Sequence, residues 1–183
     1  MKLQYILIAI AVLFLGWIWA GYNGLVSAKA AVEGEWANVE AQYQRRFDLV
    51  PNLVSTVKGA AAFEQETFTA ITEARSQWQS AGSRDQKISA ASGFDSALSR
   101  LMVTVEAYPQ LQATQAYRDL MTQLEGTENR IATQRRDYNG AVQRYNMLVK
   151  RFPRNILAGI FGFGPEAMFS ADEGAETAPS VQF

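Results

Sequence analysis

YNGAVQRYNMLV, residues 138–149, carries the word Tyr-Asn-x-x-Val twice, at a spacing of seven. Seven residues close two helical turns to within about 20°. Tyr138 and Tyr145, Asn139 and Asn146, and Val142 and Val149 therefore fall pairwise on one helix face. Tyr and Val four apart make one contact patch on that face. Tyrosine suits the margin of a bundle, with its ring in the core and its hydroxyl reaching a partner or water. The asparagine beside it reads as a bond to a neighbouring helix that fixes register. A third copy, YNGLV at 22–26, stands at the edge of an apolar N-terminal run. There Tyr22 and Asn23 are expected to touch lipid or a second subunit.

Outward from this stretch the same periodicity continues. Tyr117, Leu120, Leu124, Ile131, Tyr138, Val142, Tyr145 and Val149 form one buried stripe that stops before FPRN, 152–155. Leu25, Ala28, Val32, Trp36, Val39, Tyr43 and Val50 form another at alternating three and four spacings. That helix is expected to end at Pro51, whose missing N–H and ring disfavour helix. Arg45 and Arg46 would then lie in its last turn, with Asp48 capping the next element. A second helix carries Val54, Val57, Ala61, Phe68, Ile71 and Trp78 and stops near Gly82. Ser83 and Gln86 form a capping box that starts a third, buried through Ile88, Ala91, Phe94, Leu98, Leu101, Val105 and Tyr108. Pro109 marks a turn and Thr114 a cap. Glu128 and Arg135 fall on or near the core stripe of the last helix and need partners. Arg75 or Glu64 on the second helix is the expected source.

No stretch alternates convincingly with a period of two. The fold expected is all-α: an N-terminal transmembrane helix continuing into an antiparallel up-and-down four-helix bundle. The divisions are an anchor over 1–21, the bundle over 22–152, and a tail over 153–183 that is first apolar and then acidic.

From Leu3 to Ala28 there is no charged residue, and Tyr5–Tyr22 is apolar almost throughout. At 1.5 Å per residue it covers about 26 Å, near hydrocarbon thickness. Tyr5 at one end and Trp17, Trp19 and Tyr22 at the other match two aromatic belts. The alternative is a signal peptide cleaved after Val26-Ser27-Ala28, but the apolar run exceeds the length of such segments. Gly16, Ala20, Gly24 and Ala28 place a small side chain at every fourth position, a surface for helix association. The sparse flanking basic residues lean toward a domain outside the cytoplasm, on a single-pass protein of the cell inner membrane.

The chain of 183 residues has no cysteine, no histidine and a net charge of -1. Thiol chemistry, Cys or His zinc sites and histidine acid-base chemistry are excluded, and no basic stripe suggests nucleic acid. No cofactor is expected. In RNILAGIFGFGPEAMF, 154–169, the apolar side chains are too many for a free linker. Phe161 and Phe163 with Tyr22, Asn23, Tyr145 and Asn146 are the expected membrane-proximal contacts, made either with lipid or over the bundle end. Arg144, Lys150, Arg151 and Arg154 would face headgroups. Val181 and Phe183 at the C-terminus fit a PDZ-type peptide ligand.

RRFDLVPNLVSTVKGAAAFE (45–64), EAR (73–75), AYPQLQA (107–113), TENRIATQRRDYNGAVQRYN (127–146), RFP (151–153) and APSVQF (178–183) resemble, in this order, words of the LemA family of bacterial membrane proteins. The resemblance runs from about Tyr22 to Phe183. It departs at Val50, where isoleucine is common, and near Ala60–Phe63, where tyrosine and histidine are. It implies a single-span, membrane-anchored, up-and-down four-helix domain with no assigned reaction or cofactor. The functional expectation is a non-catalytic scaffold or adaptor of the cell envelope, forming a homo-oligomer or organising membrane proteins. The alternative is a regulatory ligand or substrate of a membrane protease, through Val-Gln-Phe.

Overall fold

The computed structural model describes residues 2–58 and 65–170. The first helix, α1 (Lys2–Lys58), is one unbroken element of 57 residues with Pro51 inside it. At 1.5 Å per residue it is about 85 Å long. The expected stop at Pro51 is therefore wrong, and the energetics show why. An interior proline costs about 3 kcal/mol. Val50, Leu53, Val54 and Val57, on both sides of it, are all core residues, and each buried aliphatic side chain is worth roughly 1.5–3 kcal/mol. Continuing the helix keeps all four in the core, while Pro51 itself faces solvent. Val54 and Val57 thus belong to α1. Arg46 and Asp48 lie in its interior, and Asp48 accepts a bond from Gln44 Nε2 at 2.9 Å. Ala61 and Glu64 lie outside the described residues.

α2 (Gln65–Ser80) and α3 (Arg84–Glu106) form a hairpin. Ser83 Oγ accepts from the Gln86 N–H at 3.3 Å, while Gln86 Oε1 accepts from the Gly82 N–H at 2.9 Å. The expected box forms with its return bond one residue early. A four-residue turn of helix, α4 (Pro109–Gln112), is followed by α5 (Gln115–Lys150). Thr114 caps α5 by accepting from the Tyr117 N–H. A short α6 (Arg154–Phe161) follows a cis Phe152–Pro153 bond.

The helices run up, down, up and down. Trp36 near the middle of α1 stacks on Trp78 near the end of α2 at 6.2 Å. Asp95 midway along α3 meets Arg46 higher on α1. α5 descends beside α1 in step: Glu128 meets Arg46, Tyr138 meets Trp36, and Tyr145 meets Lys29. Each step down α5 matches a step of the same number of residues down α1, taken backward in sequence. The protein is all-α, and no strand occurs among the described residues.

Below the bundle the helix stands alone. Leu3 to Leu15 expose their apolar side chains, and no part of the apolar 18-residue window is buried. Among the described residues there is thus one helix long and apolar enough to cross a membrane, continuous with the bundle.

Candidate functional site

The doubled Tyr-Asn word faces the groove between α1 and α5, and the groove is filled by the chain's own residues 163–169. α6 ends at Gly162, whose left-handed φ of 74° turns the backbone. From there an extended strap climbs antiparallel to α5. Tyr145 donates its hydroxyl to the Gly164 carbonyl at 2.9 Å. Asn146 donates to the Glu166 carbonyl at 2.8 Å and accepts from the Glu166 N–H at 2.9 Å. One heptad higher the set repeats. Tyr138 donates to the Ala167 carbonyl at 2.8 Å, and Asn139 exchanges two bonds of 2.9 Å with the Phe169 backbone. Every partner shifts by three residues on the strap for seven on the helix. Seven helical residues rise about 10.5 Å and three extended ones about 10 Å. The two repeats match in length, so each asparagine amide serves the strap as a neighbouring strand would.

Two side chains of the strap are read as well. The Glu166 carboxylate lies 2.5 Å from Lys29 Nζ and 2.9 Å from Arg84 Nη1. Burial works to raise its pKa, but Lys29 and Arg84 outweigh burial and hold it below the ordinary value. Phe169 is buried against the rings of Trp36, 6.1 Å away, and Tyr138, 5.7 Å away, with the Arg135 guanidinium 4.9 Å from its centroid. Burial pushes the Tyr138 hydroxyl up to about 12 and raises that of Tyr145. Both remain donors at neutral pH.

The asparagines thus bond the strap and not a neighbouring helix, correcting the sequence expectation. The third word serves the same strap differently. Tyr22 meets the rings of Phe161 and Phe163 edge-on at 4.9 and 5.9 Å, while Asn23 is exposed. Gly16 and Ala20 are exposed, Gly24 faces Arg154, and Ala28 is half-buried against the core. The closest approach is at Gly21, outside that stripe, where a Cβ would stand 2.5 Å from Leu157 Cδ1. Val181 and Phe183 lie outside the described residues.

Higher in the bundle, the partners of Arg135 and Glu128 are not on α2. Arg46 bonds Asp95 and Glu128 at 2.7 Å each, and Arg135 bonds both Asp95 and the Tyr43 hydroxyl. Arg75 instead lies 4.0 Å from Asp48. Burial and Asp95 drive the Tyr43 pKa well above its ordinary value. Burial works to lower that of Arg135, but Tyr43 and Asp95 prevail and raise it. Each arginine is paired with a carboxylate, an arrangement that ties α1, α3 and α5 together. Sequence reasoning missed Asp95, Lys29, Arg84 and Glu166, each a single charge among many. The identical Tyr-Asn pairs seven apart were the one available signal for the groove.

The LemA family model matches residues 35–183. The chain belongs to the LemA family. It is 30% identical over 96% of its length to Magnetosome protein MamQ 2 of Paramagnetospirillum magneticum, covering 74% of that protein. It is 29% identical over 86% of its length to Magnetosome protein MamQ of Magnetospirillum gryphiswaldense, covering 69% of it. To Protein LemA of Metamycoplasma hominis it is 25% identical over 82% of its length, covering 69%. The match includes the α5 ladder and the strap of this LemA-family chain.

Proposed function

We propose that this LemA-family protein is a non-catalytic, membrane-anchored scaffold of the bacterial cell envelope, self-associating or organising membrane proteins. The observation that supports this most is the continuity of α1. The membrane-length segment and the central helix of the bundle are one element, so the domain is held at a fixed height above the bilayer. Its prominent polar side chains are engaged in the fold: Arg46, Asp95 and Arg135 with one another, and Tyr138, Asn139, Tyr145 and Asn146 with the strap. The names of the magnetosome relatives favour a part in an assembled cell structure. The domain lies outside the cytoplasm in this reading, and the surfaces for association are the span and the membrane-proximal collar.

The absence of cysteine gives a clean test. Single cysteines are placed in native membranes at Gly16 and Ala20, and on the opposite side of the helix at Leu7 and Phe14. Oxidation is expected to yield dimers at the first two and few at the second two. Equal yields at all four positions, or none, would sink association through this face.

A further inference from the structure

The strap is held mostly through its main chain, and this decides what else fits the groove. Tyr138, Asn139, Tyr145 and Asn146 bond carbonyls and amides that almost any residue offers. The ladder thus fixes an extended backbone in three-residue steps. Selectivity comes from two places. Lys29 and Arg84 converge on a carboxylate, and Trp36, Tyr138 and Arg135 surround an aromatic ring three residues further along. The ligand class is an extended peptide with an acidic residue three positions before an aromatic one.

We propose that the groove takes this segment from a second copy of the chain as well as from its own, so that exchanged straps link neighbouring copies. A second copy supplies the same Glu166 and Phe169 on the same backbone, and reciprocal exchange reuses one surface on both partners. Rigid α1 sets every groove at one height above the bilayer, so a neighbour presents its strap level with the groove. Confinement to the membrane raises its effective concentration. Gly162 and Gly164 flank Phe163 and provide pivots at which the strap is redirected while α6 stays on its own bundle. Of residues 163–170 only Phe169 is buried, so opening the strap uncovers one large apolar side chain and leaves the helices of the bundle in place. The proposal rests on the self-association reading above but uses a different surface.

Complementation tests it. A groove variant, Asn139→Ala with Asn146→Ala, and a strap variant, Glu166→Ala with Phe169→Ala, are given different tags and reconstituted together as full chains. The mixed pair has one intact groove and one intact strap on different chains, and is expected to be recovered about tenfold more than either like pair. Equal recovery of mixed and like pairs assigns association to other surfaces and overturns strap exchange, leaving the scaffold reading intact. Preferential mixed recovery with no crosslinking at Gly16 and Ala20 upholds exchange and removes association through the span. A second measurement needs no variant that must fold. Excess synthetic peptide 161–170 added to the wild-type protein is expected to speed hydrogen exchange at the Glu166 and Phe169 amides. Unchanged exchange overturns the proposal.

Discussion

Asn139 and Asn146 each satisfy both the N–H and the C=O of one strap residue. Asn146→Ala leaves both Glu166 groups without a protein partner, at a cost of about 1–3 kcal/mol. The expected result is loss of hydrogen-exchange protection across the strap with the bundle amides unchanged. Asn146→Asp is expected to fall short of rescue, because a carboxylate still accepts from the N–H but cannot donate to the carbonyl. Glu166 adds a pH dependence whose sign follows from its lowered pKa. Its contribution to docking is complete above the unfolded carboxylate value of about 4.3 and fades as pH falls through the lower folded value. Strap protection should therefore be level near neutrality and drop in acid, and Glu166→Gln should remove that acid step. The doubled word was legible as a helix face, but its partner was not. A side chain that bonds main-chain groups places no demand on the residues it holds, so Gly164 and Ala167 leave no mark in the sequence.

At the level of elements, the stripes of α3 and α5, their caps at Ser83 and Thr114, and the stop before Phe152 were all readable, because each rests on local chemistry. Pro51 misled because local cost was weighed without the core on either side of it. Pro51→Ala restores an N–H able to bond the Phe47 carbonyl, and thermal unfolding in detergent should shift upward by an amount worth up to about 3 kcal/mol. An unchanged midpoint would mean the helix has already relaxed around the proline. The α1–α6 junction makes the opposite demand. Since a Cβ at Gly21 would stand 2.5 Å from Leu157 Cδ1, Gly21→Val should displace α6, whereas Gly21→Ala requires only that the end of Leu157 move. Adding Leu157→Ala to Gly21→Val should recover part of the loss. Strict additivity of the two changes would show that they do not meet.

For the whole molecule, the position of α6 on α1 decides which apolar surface meets the bilayer. Leu157 seats on Gly21 and Phe161 on Tyr22, so α6 lies at the height of Trp17, Trp19 and Tyr22, where the apolar run ends. Its outer side chains Ile156, Ile160 and Phe161, with Phe152 just before it, are exposed. Lys150, Arg151 and Arg154 stand beside them. If the domain sits on a bilayer as proposed, an amphipathic collar at this height is expected to bury apolar side chains at the acyl boundary and point basic groups at headgroups. Of the two alternatives posed in the sequence, packing on the chain's own helices holds for the inner face of α6, and lipid contact is the prediction for its outer face. Single cysteines at Ile160 and at Val103, a residue 66% exposed on α3 toward the membrane-distal end, allow a direct comparison in proteoliposomes. A membrane-impermeant maleimide should label the outward-facing Val103→Cys population quickly and leave Ile160→Cys in that orientation protected until detergent is added. Equal labelling before detergent would place the collar in water and leave α1 as the anchor without it.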